Sequence, residues 1–189
     1  MSEEKKGRSR KNTEEEPQET SLGKEILSWL QIIVAAVVIA FVLNNFVIAN
    51  SRIPTGSMEN TIMAGDRNLA LRTSYWFSDP QRGDVVVFEA PDDPDTLYVK
   101  RVIGVGGDTV EVKDGDVLVN GQVQDEPYIK EITEGDFGPY HVPEGCYFMM
   151  GDNRNDSLDA RFWENTYVEK DAILGKVVLR YYKGFKIID

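Results

Sequence analysis

A serine, a lysine and a polar cluster are the parts of this sequence that could perform covalent chemistry. Ser57 lies in Ile53-Pro54-Thr55-Gly56-Ser57-Met58, shortly after the only long apolar run of the chain. A serine hydroxyl attacks a carbonyl at neutral pH only when a neighbouring base removes its proton. Histidine is the usual base, and the chain holds a single one, His141, between two prolines. Its surroundings favour a structural role at the start of a strand over a catalytic role.

Lysine is the alternative base, because a lysine that burial keeps neutral can accept a proton. Lys100 is the best candidate, since it interrupts the apolar strand predicted over Thr96–Val105 instead of following a polar face. Considered alone, it would still be interpreted as a strand lysine that points into solvent. A third stretch of the sequence changes that balance.

This third stretch runs from Gly151 to Arg161 and carries Asp, Asn, Arg and Ser side chains within eleven residues. It is flanked by the apolar pairs Met149-Met150 and Phe162-Trp163. A solvated turn is the simpler interpretation, but a turn seldom needs so many hydrogen-bonding groups. We therefore predict a polar network held against the core, which could orient a catalytic lysine.

Composition excludes several classes of function. A single cysteine and a single histidine exclude most zinc sites and a disulfide scaffold, so we expect no metal and no cofactor. The net charge is −11, and residues 51–189 carry 15 Lys and Arg against 25 Asp and Glu. Nucleic-acid binding normally needs a basic face, so we expect no nucleic-acid partner.

The apolar run over residues 26–49 holds 24 residues without a charge. About 20 such residues cross a bilayer, so we predict one transmembrane helix. Ser57 lies eight residues beyond Ala49. At roughly 3.3 Å per residue, it lies at most about 26 Å from the membrane face.

Residues 1–25 are polar and lack apolar periodicity, which predicts a disordered tail. Basic residues before the span predict a cytoplasmic N-terminus and an extracytoplasmic domain over residues 50–189. These basic residues are Lys5, Lys6, Arg8, Arg10, Lys11 and Lys24. A cleavable signal peptide, cut near Val47 and Ala49, and a buried core helix are the alternatives. A signal peptide normally has a shorter apolar core and a shorter polar lead.

Short strands dominate the rest of the chain. Residues 84–88 form an apolar run long enough for a buried strand. The pairs Asp114-Gly115 and Asn120-Gly121 separate alternating segments and predict tight hairpins. Residues 124–146 are rich in Pro, Gly and acidic residues and are interpreted as a loop or a small flap. The fold class is therefore mainly β, with one N-terminal helix.

Taken together, the stretches that could carry chemistry resemble the bacterial type I signal peptidases, which are membrane-bound Ser/Lys proteases. They occur in the family's order and cover most of residues 50–180. The matching stretches are Ile53 to Met58, Arg82-Gly83-Asp84-Val85-Val86-Val87-Phe88, Tyr98-Val99-Lys100-Arg101-Val102-Ile103-Gly104, Gly151 to Arg161, and Ile173-Leu174-Gly175-Lys176-Val177-Val178.

The resemblance implies a role for each matching residue. Ser57 would be the nucleophile and Lys100 the general base, with Ser157 orienting Lys100. Asp159 and Arg161 would form a supporting ion pair. The Ser57 backbone N–H and the Thr55 hydroxyl would hold the oxyanion. The residues expected around the substrate are Ile53, Pro54, Met58, Tyr98 and Val99. Among these, Ile53, Met58 and Val99 would form a shallow pocket for small side chains, which gives the family's Ala-x-Ala preference.

The resemblance also implies a coiled antiparallel β-sheet domain of the kind shared with repressor-type Ser/Lys proteases. It would rest on the plasma membrane as a single-pass protein of the compact form typical of Gram-positive bacteria. Its partners would be preprotein signal peptides, the lipid bilayer and the secretion translocon. Two loop prolines common in the family are missing, at Asn60 and in Val105-Gly106-Gly107-Asp108. Trp76 and Phe77 would contact either lipid or the core.

Three rival interpretations remain. A self-cleaving repressor-type protease would carry a DNA-binding domain in place of the span. The signal peptidases of archaea and of the eukaryotic secretory membrane would carry histidine at the position of Lys100. An adaptor that only displays a β domain would have no use for Ser57, Lys100 and Ser157 together.

Overall fold

The structure is a computed structural model that describes residues 22–182 and 184–188. One long helix, α1 (Leu22–Val42), is followed by a π turn at Leu43–Val47. Most of the predicted tail lies outside the described residues. Its last four residues already belong to α1, because polar residues such as Lys24 and Glu25 are good helix formers beyond the apolar run.

The helical stretch Leu22–Val47 is 26 residues long, with a mean hydropathy of 2.7, and none of it is buried. An apolar helix without protein cover does not behave as a core helix. It fits a transmembrane anchor.

Within the described residues, twelve strands form two antiparallel sheets. The strands are β1 (Ile48–Arg52), β2 (Arg67–Leu71), β3 (Val85–Ala90), β4 (Asp93–Val105), β5 (Thr109–Lys113), β6 (Asp116–Val119), β7 (Gln122–Val123), β8 (Phe137–His141), β9 (Cys146–Met150), β10 (Val168–Glu169), β11 (Ile173–Arg180) and β12 (Lys186–Ile187). The larger sheet has the order β1-β2-β11-β3-β4-β9-β10, with β12 paired to β11, and the smaller has the order β7-β6-β5-β8. The prediction of a mainly β fold with one N-terminal helix is confirmed.

Strand β3 explains why the domain has two apolar clusters. Its residues alternate between them: Val86 and Phe88 join a cluster shared by both sheets, and Val85 and Val87 join a second cluster on the opposite face. A strand buried on both faces must be apolar throughout, as the run at residues 84–88 indicates. The second cluster also contains Met58, so it reaches the loop that carries Ser57.

Residues 124–146 are less irregular than predicted. Their second half contains β8, which pairs with β5 through contacts distant in sequence. Gly138 and Pro139 mask the strand pattern in the sequence, so the pairing could not be seen there. His141 ends this strand, exposed, with Nδ1 3.0 Å from Thr109 Oγ1.

Candidate active site

Ser57 sits on a loop that the apolar core holds on both sides. Ile53 is 4% exposed and Met58 is 1% exposed, and both pack in the second cluster. The Ile62 N–H donates to the Met58 carbonyl at 2.8 Å, which closes a helical turn after the serine. Ser57 itself is half-buried, and its Oγ lies 3.4 Å from Thr55 Oγ1. The core thus fixes the residues around Ser57 and leaves its hydroxyl at the surface of the loop.

Lys100 lies on β4, opposite Val86 on β3, and is 4% exposed. Its Nζ donates to Ser157 Oγ at 3.0 Å. Burial lowers the pKa of Lys100 from 10.5 to about 8, because a buried ammonium loses its hydration. Asp159 opposes this lowering of the pKa and Arg161 reinforces it. The amine therefore has a neutral fraction near neutral pH that a free lysine lacks.

Asp159 and Arg161 form a buried, two-pronged ion pair. Arg161 Nε lies 2.8 Å from Asp159 Oδ1, and Nη2 lies 2.9 Å from Oδ2. The Gly151 N–H also donates to Asp159 Oδ2 at 3.0 Å. Because Arg161 neutralises this carboxylate, Asp159 does not act as a full counter-ion for Lys100.

A cavity of about 670 Å³ opens between the Ser57 loop and β4. It is lined by Asn50–Met58, Val87, Thr96–Lys100, Asp156 and Leu158. The cavity brings together the predicted residues Ile53, Pro54, Thr55, Ser57, Met58, Tyr98, Val99 and Lys100.

The other predicted residues, Ser157, Asp159 and Arg161, do not line this cavity and instead act on the Lys100 amine. Ser157 bonds this amine, and the charges of Asp159 and Arg161 act on it from behind. Within the described part of the chain, no hydrogen bond joins Ser57 Oγ directly to Lys100 Nζ. Each of the two instead bonds a second hydroxyl, Thr55 for Ser57 and Ser157 for Lys100.

Comparison with known proteins identifies the family of this chain. Residues 26–182 match the family described as signal peptidase, peptidase S26. This chain belongs to that family. It is therefore a serine protease, and the resemblance carried by the motifs is confirmed.

Curated members of the signal peptidase family match most of this chain. A "Probable signal peptidase I-2" of Synechocystis sp. is 37% identical over 181 residues, covering 90% of this chain and 82% of that protein. The "Signal peptidase I S" of Bacillus subtilis is 39% identical over 150 residues, covering 73% and 79%. A crystal structure of a signal peptidase I from Enterococcus faecalis is 32% identical, covers 52% of this chain and 97% of that one, and has a TM-score of 0.47.

In this signal peptidase, Asn153 joins the polar loop to the serine loop, although it is absent from the predicted site. Its backbone N–H donates to the Ser57 carbonyl at 3.1 Å, and its Nδ2 donates to the Gly56 carbonyl at 3.0 Å. Gly151 permits the close approach, because a Cβ there would collide with Ser157 Oγ and with the Ser57 carbonyl oxygen. The density of polar residues in the 151–161 stretch was the available signal for Asn153.

A second missed group lies on the other face of β4. Arg101 is as buried as Lys100 and pairs with Asp152, at 2.9 Å from Nε to Oδ1 and 2.8 Å from Nη2 to Oδ2. Its guanidinium also lies 3.8 Å from the centre of the Tyr128 ring. The unusual charge pair Lys100-Arg101 was visible in the sequence, but only its first member was assigned a role.

The segment 126–133 contacts both the loop that follows Ser57 and the polar loop over residues 151–161. Asn60 Nδ2 donates to the carbonyls of Tyr128 and Ile129 at 3.3 and 3.2 Å. On the other side, Arg154 Nη2 lies 2.6 Å from Glu126 Oε1, and both side chains are buried. Asn60 has a φ of 90°, which a proline ring cannot adopt, so in this chain hydrogen bonds and not a ring hold the loop at this position.

Proposed function

We propose that this chain is a membrane-anchored endopeptidase that removes N-terminal signal peptides from secreted preproteins, with Ser57 as nucleophile and Lys100 as general base. The observation that carries the proposal is the buried Lys100 amine, which has a pKa of about 8 and lines the same cavity as Ser57. A general base works best when its pKa lies near the working pH.

In the first step, neutral Lys100 accepts the Ser57 proton, and Ser57 Oγ attacks the carbonyl carbon of the scissile bond. The resulting oxyanion needs fixed donors. The Ser57 N–H donates to no other group within residues 22–182 and 184–188, and the Thr55 hydroxyl lies beside Ser57 Oγ. These two groups are our proposed oxyanion donors.

In the second step, the Lys100 ammonium returns its proton to the leaving amine, and an acyl-enzyme on Ser57 remains. A water molecule then attacks the ester carbonyl while Lys100 accepts its proton, and Ser57 leaves with that proton. Ser157 keeps the amine aimed at the cavity throughout both steps, through the 3.0 Å contact. Asp159 and Arg161 hold the loop that carries Ser157.

The cavity suits an extended substrate with small side chains. Strand β1 lies at the edge of its sheet, so its outer backbone N–H and C=O groups can pair with an extended substrate as an added strand. Buried Ile53 and Met58 and half-buried Val99 fill the floor near Ser57. Forcing a larger side chain against packed groups costs about 1–3 kcal/mol, so we propose cleavage after Ala-x-Ala.

Membrane attachment brings the enzyme to this substrate. We propose a single-pass plasma-membrane protein with a cytoplasmic tail over residues 1–25, a span within residues 26–49 and an extracytoplasmic domain over residues 50–189. Trp76 and Phe77 are exposed, Phe77 by 97%, which excludes core packing and favours contact with lipid. The secretion translocon would deliver the preprotein.

Replacing Ser57 tests the proposal directly. Ser57→Ala removes only the attacking oxygen, so the purified protein should fold with an unchanged melting temperature and cleave no preprotein above the uncatalysed rate. Ser78→Ala is the matched control, because Ser78 is exposed and its hydroxyl bonds only the Ser74 carbonyl among the residues that the structure describes. Turnover by Ser57→Ala comparable to that of Ser78→Ala would refute the proposed nucleophile.

A further inference from the structure

The cavity has a direction, which follows from the order of the strands. Four antiparallel pairings lead from β1 through β2, β11 and β3 to β4, so β1 and β4 run the same way. β1 leads towards Ser57, and β4 leads towards Lys100. One end of the cavity therefore begins at Asn50 and Thr96, and the other ends at the reacting groups.

The two ends meet different parts of the substrate, provided that the proposed function holds. Asn50 lies three residues beyond Val47, the last residue of the candidate span, so this end receives the signal segment that emerges from the membrane. The segment after the scissile bond then leaves past Ser57. The wall there carries Asp156 and Leu158, which come from the polar loop.

Asp156 adjoins Ser157, which bonds Lys100, so it places a carboxylate at this leaving end, and Lys130 acts on it only electrostatically. The Asp156 side chain is exposed and has no hydrogen-bond or ion-pair partner among the residues that the structure describes. The neighbouring carboxylates are neutralised, Asp152 by Arg101, Asp159 by Arg161 and Glu59 by Lys130. When Lys100 is in its neutral, reactive form, a substrate side chain beside Asp156 and Leu158 meets the charge of Asp156.

We propose that Asp156 determines charge preference on the leaving side of the cleavage point, so that a basic residue there is favoured over an acidic one. Asp156 also meets the new amino terminus of the product, which binds a proton after release because an α-amino group has a pKa near 8. Its charge acts on Lys100 as well, but that effect is common to all substrates and cancels in a ratio of substrates.

The test uses the purified full-length chain in detergent and three peptides with one Ala-x-Ala cleavage point. They differ only at the second residue after that point, which is Lys, Ser or Asp. We expect wild type to cleave the Lys peptide about fivefold better than the Asp peptide in kcat/KM at low salt, the scale of an exposed ion pair. Salt should reduce this ratio, because screening weakens interactions between exposed charges.

Asp156→Asn should bring the ratio close to one. Asp116→Asn removes the same charge from β6, outside the cavity, and controls for attraction of basic peptides by the acidic domain as a whole. An Asp156→Asn enzyme with the wild-type ratio, or an Asp116→Asn enzyme that loses it, would overturn the inference.

The Ser peptide separates the two proposals. If wild type and Asp156→Asn both cleave it and wild type shows no charge preference, the role of Asp156 is refuted and the proposed function stands. If wild type cleaves none of the peptides, the proposed function fails, and the inference fails with it.

Discussion

Lys100 and Arg101 are neighbours on one strand, equally buried, and their side chains lie on opposite faces of the sheet. Arg101 receives a two-pronged carboxylate partner in Asp152, so its charge is fully compensated. Lys100 receives no carboxylate partner among the described residues, only the hydroxyl of Ser157 and the face of the Tyr98 ring, and its pKa falls to about 8. One face of β4 thus keeps a cation for structure, and the other keeps an amine that can lose its proton.

The difference shows how a protein sets the reactivity of a buried cation. Burial is the same for both residues, so burial alone does not decide the outcome. The guanidinium of Arg101 keeps its proton in almost any environment, whereas the pKa of Lys100 depends on its burial and on where the nearby carboxylates are committed. Asp159 could have served Lys100, but Arg161 occupies both of its oxygens. Sequestering a neighbouring carboxylate keeps the lysine pKa low.

Lys100→Met should produce the largest change, because it removes the proposed general base. We expect kcat/KM for a preprotein to fall by about 10⁴-fold or more, as removal of a catalytic group from a serine-protease site does. The measurement is the initial rate of preprotein cleavage at substrate concentrations well below KM, which gives kcat/KM. Activity within tenfold of wild type would show that Lys100 is a second structural cation like Arg101.

The same variant should be more stable than wild type near pH 7. At about 1.4 kcal/mol per pH unit, a pKa lowered from 10.5 to about 8 destabilises folded wild type by about 3 kcal/mol, and the variant is free of this cost. The variant also loses the hydrogen bond to Ser157, which reduces its gain in stability by about 1 kcal/mol. Below pH 8 the folded and unfolded chains both hold the proton, so the cost is complete. Between pH 8 and 10.5 only the unfolded chain holds it, so wild-type stability rises with pH. Thermal melts at pH 7 and near pH 10.5 should show the gap between the two proteins closing. A variant that melts lower than wild type at both pH values would contradict the neutral-base mechanism.

Arg101→Met should have the opposite effect on stability. It leaves Asp152 buried without its partner, which typically costs about 3–5 kcal/mol. Denaturant unfolding measures this loss, and the fraction that stays folded should keep most of its kcat. Lys170→Met is the control, because the Lys170–Asp79 pair is exposed and its loss should leave the unfolding midpoint nearly unchanged. Equal losses in the two variants would remove the contrast between the faces of β4.

Ser157→Ala should have the smallest effect of the three, since it removes the group that orients Lys100 and leaves the reactants in place. We expect kcat to fall by about 10²-fold with KM nearly unchanged, the scale of a lost positioning contact. Ser157→Thr keeps the hydroxyl and should recover part of the rate, which a purely structural role would not explain. Wild-type kinetics in Ser157→Ala would mean that the amine needs no orientation.

The sequence predicted the local features of this molecule well. The apolar run of β3, the hairpins and the span follow from patterns that the neighbouring residues alone create. Ser57, Lys100 and Ser157 stand out because each breaks its local pattern or lies in an unusual cluster. The cavity then brings Ser57 and Lys100 together across 43 positions of the chain.

The sequence did not predict which residues would be partners across long stretches of the chain. Asp152 looks like any other member of the polar cluster until β9 places it beside Arg101. Asn153 is recognised only when its amide is seen on the Gly56 carbonyl. The contacts of segment 126–133 are likewise hydrogen bonds to loops far away in sequence, so no local periodicity marks them.

Gly151 limits how this enzyme can vary. The backbone at this position passes so close to Ser157 and to the Ser57 carbonyl that a single added methyl group would push both away. Every codon change that replaces glycine adds at least that methyl group, so mutation cannot approach the site by small steps here. A library that randomises residues 149–163 and selects for secretion should tolerate changes at exposed Phe162 but return glycine at position 151.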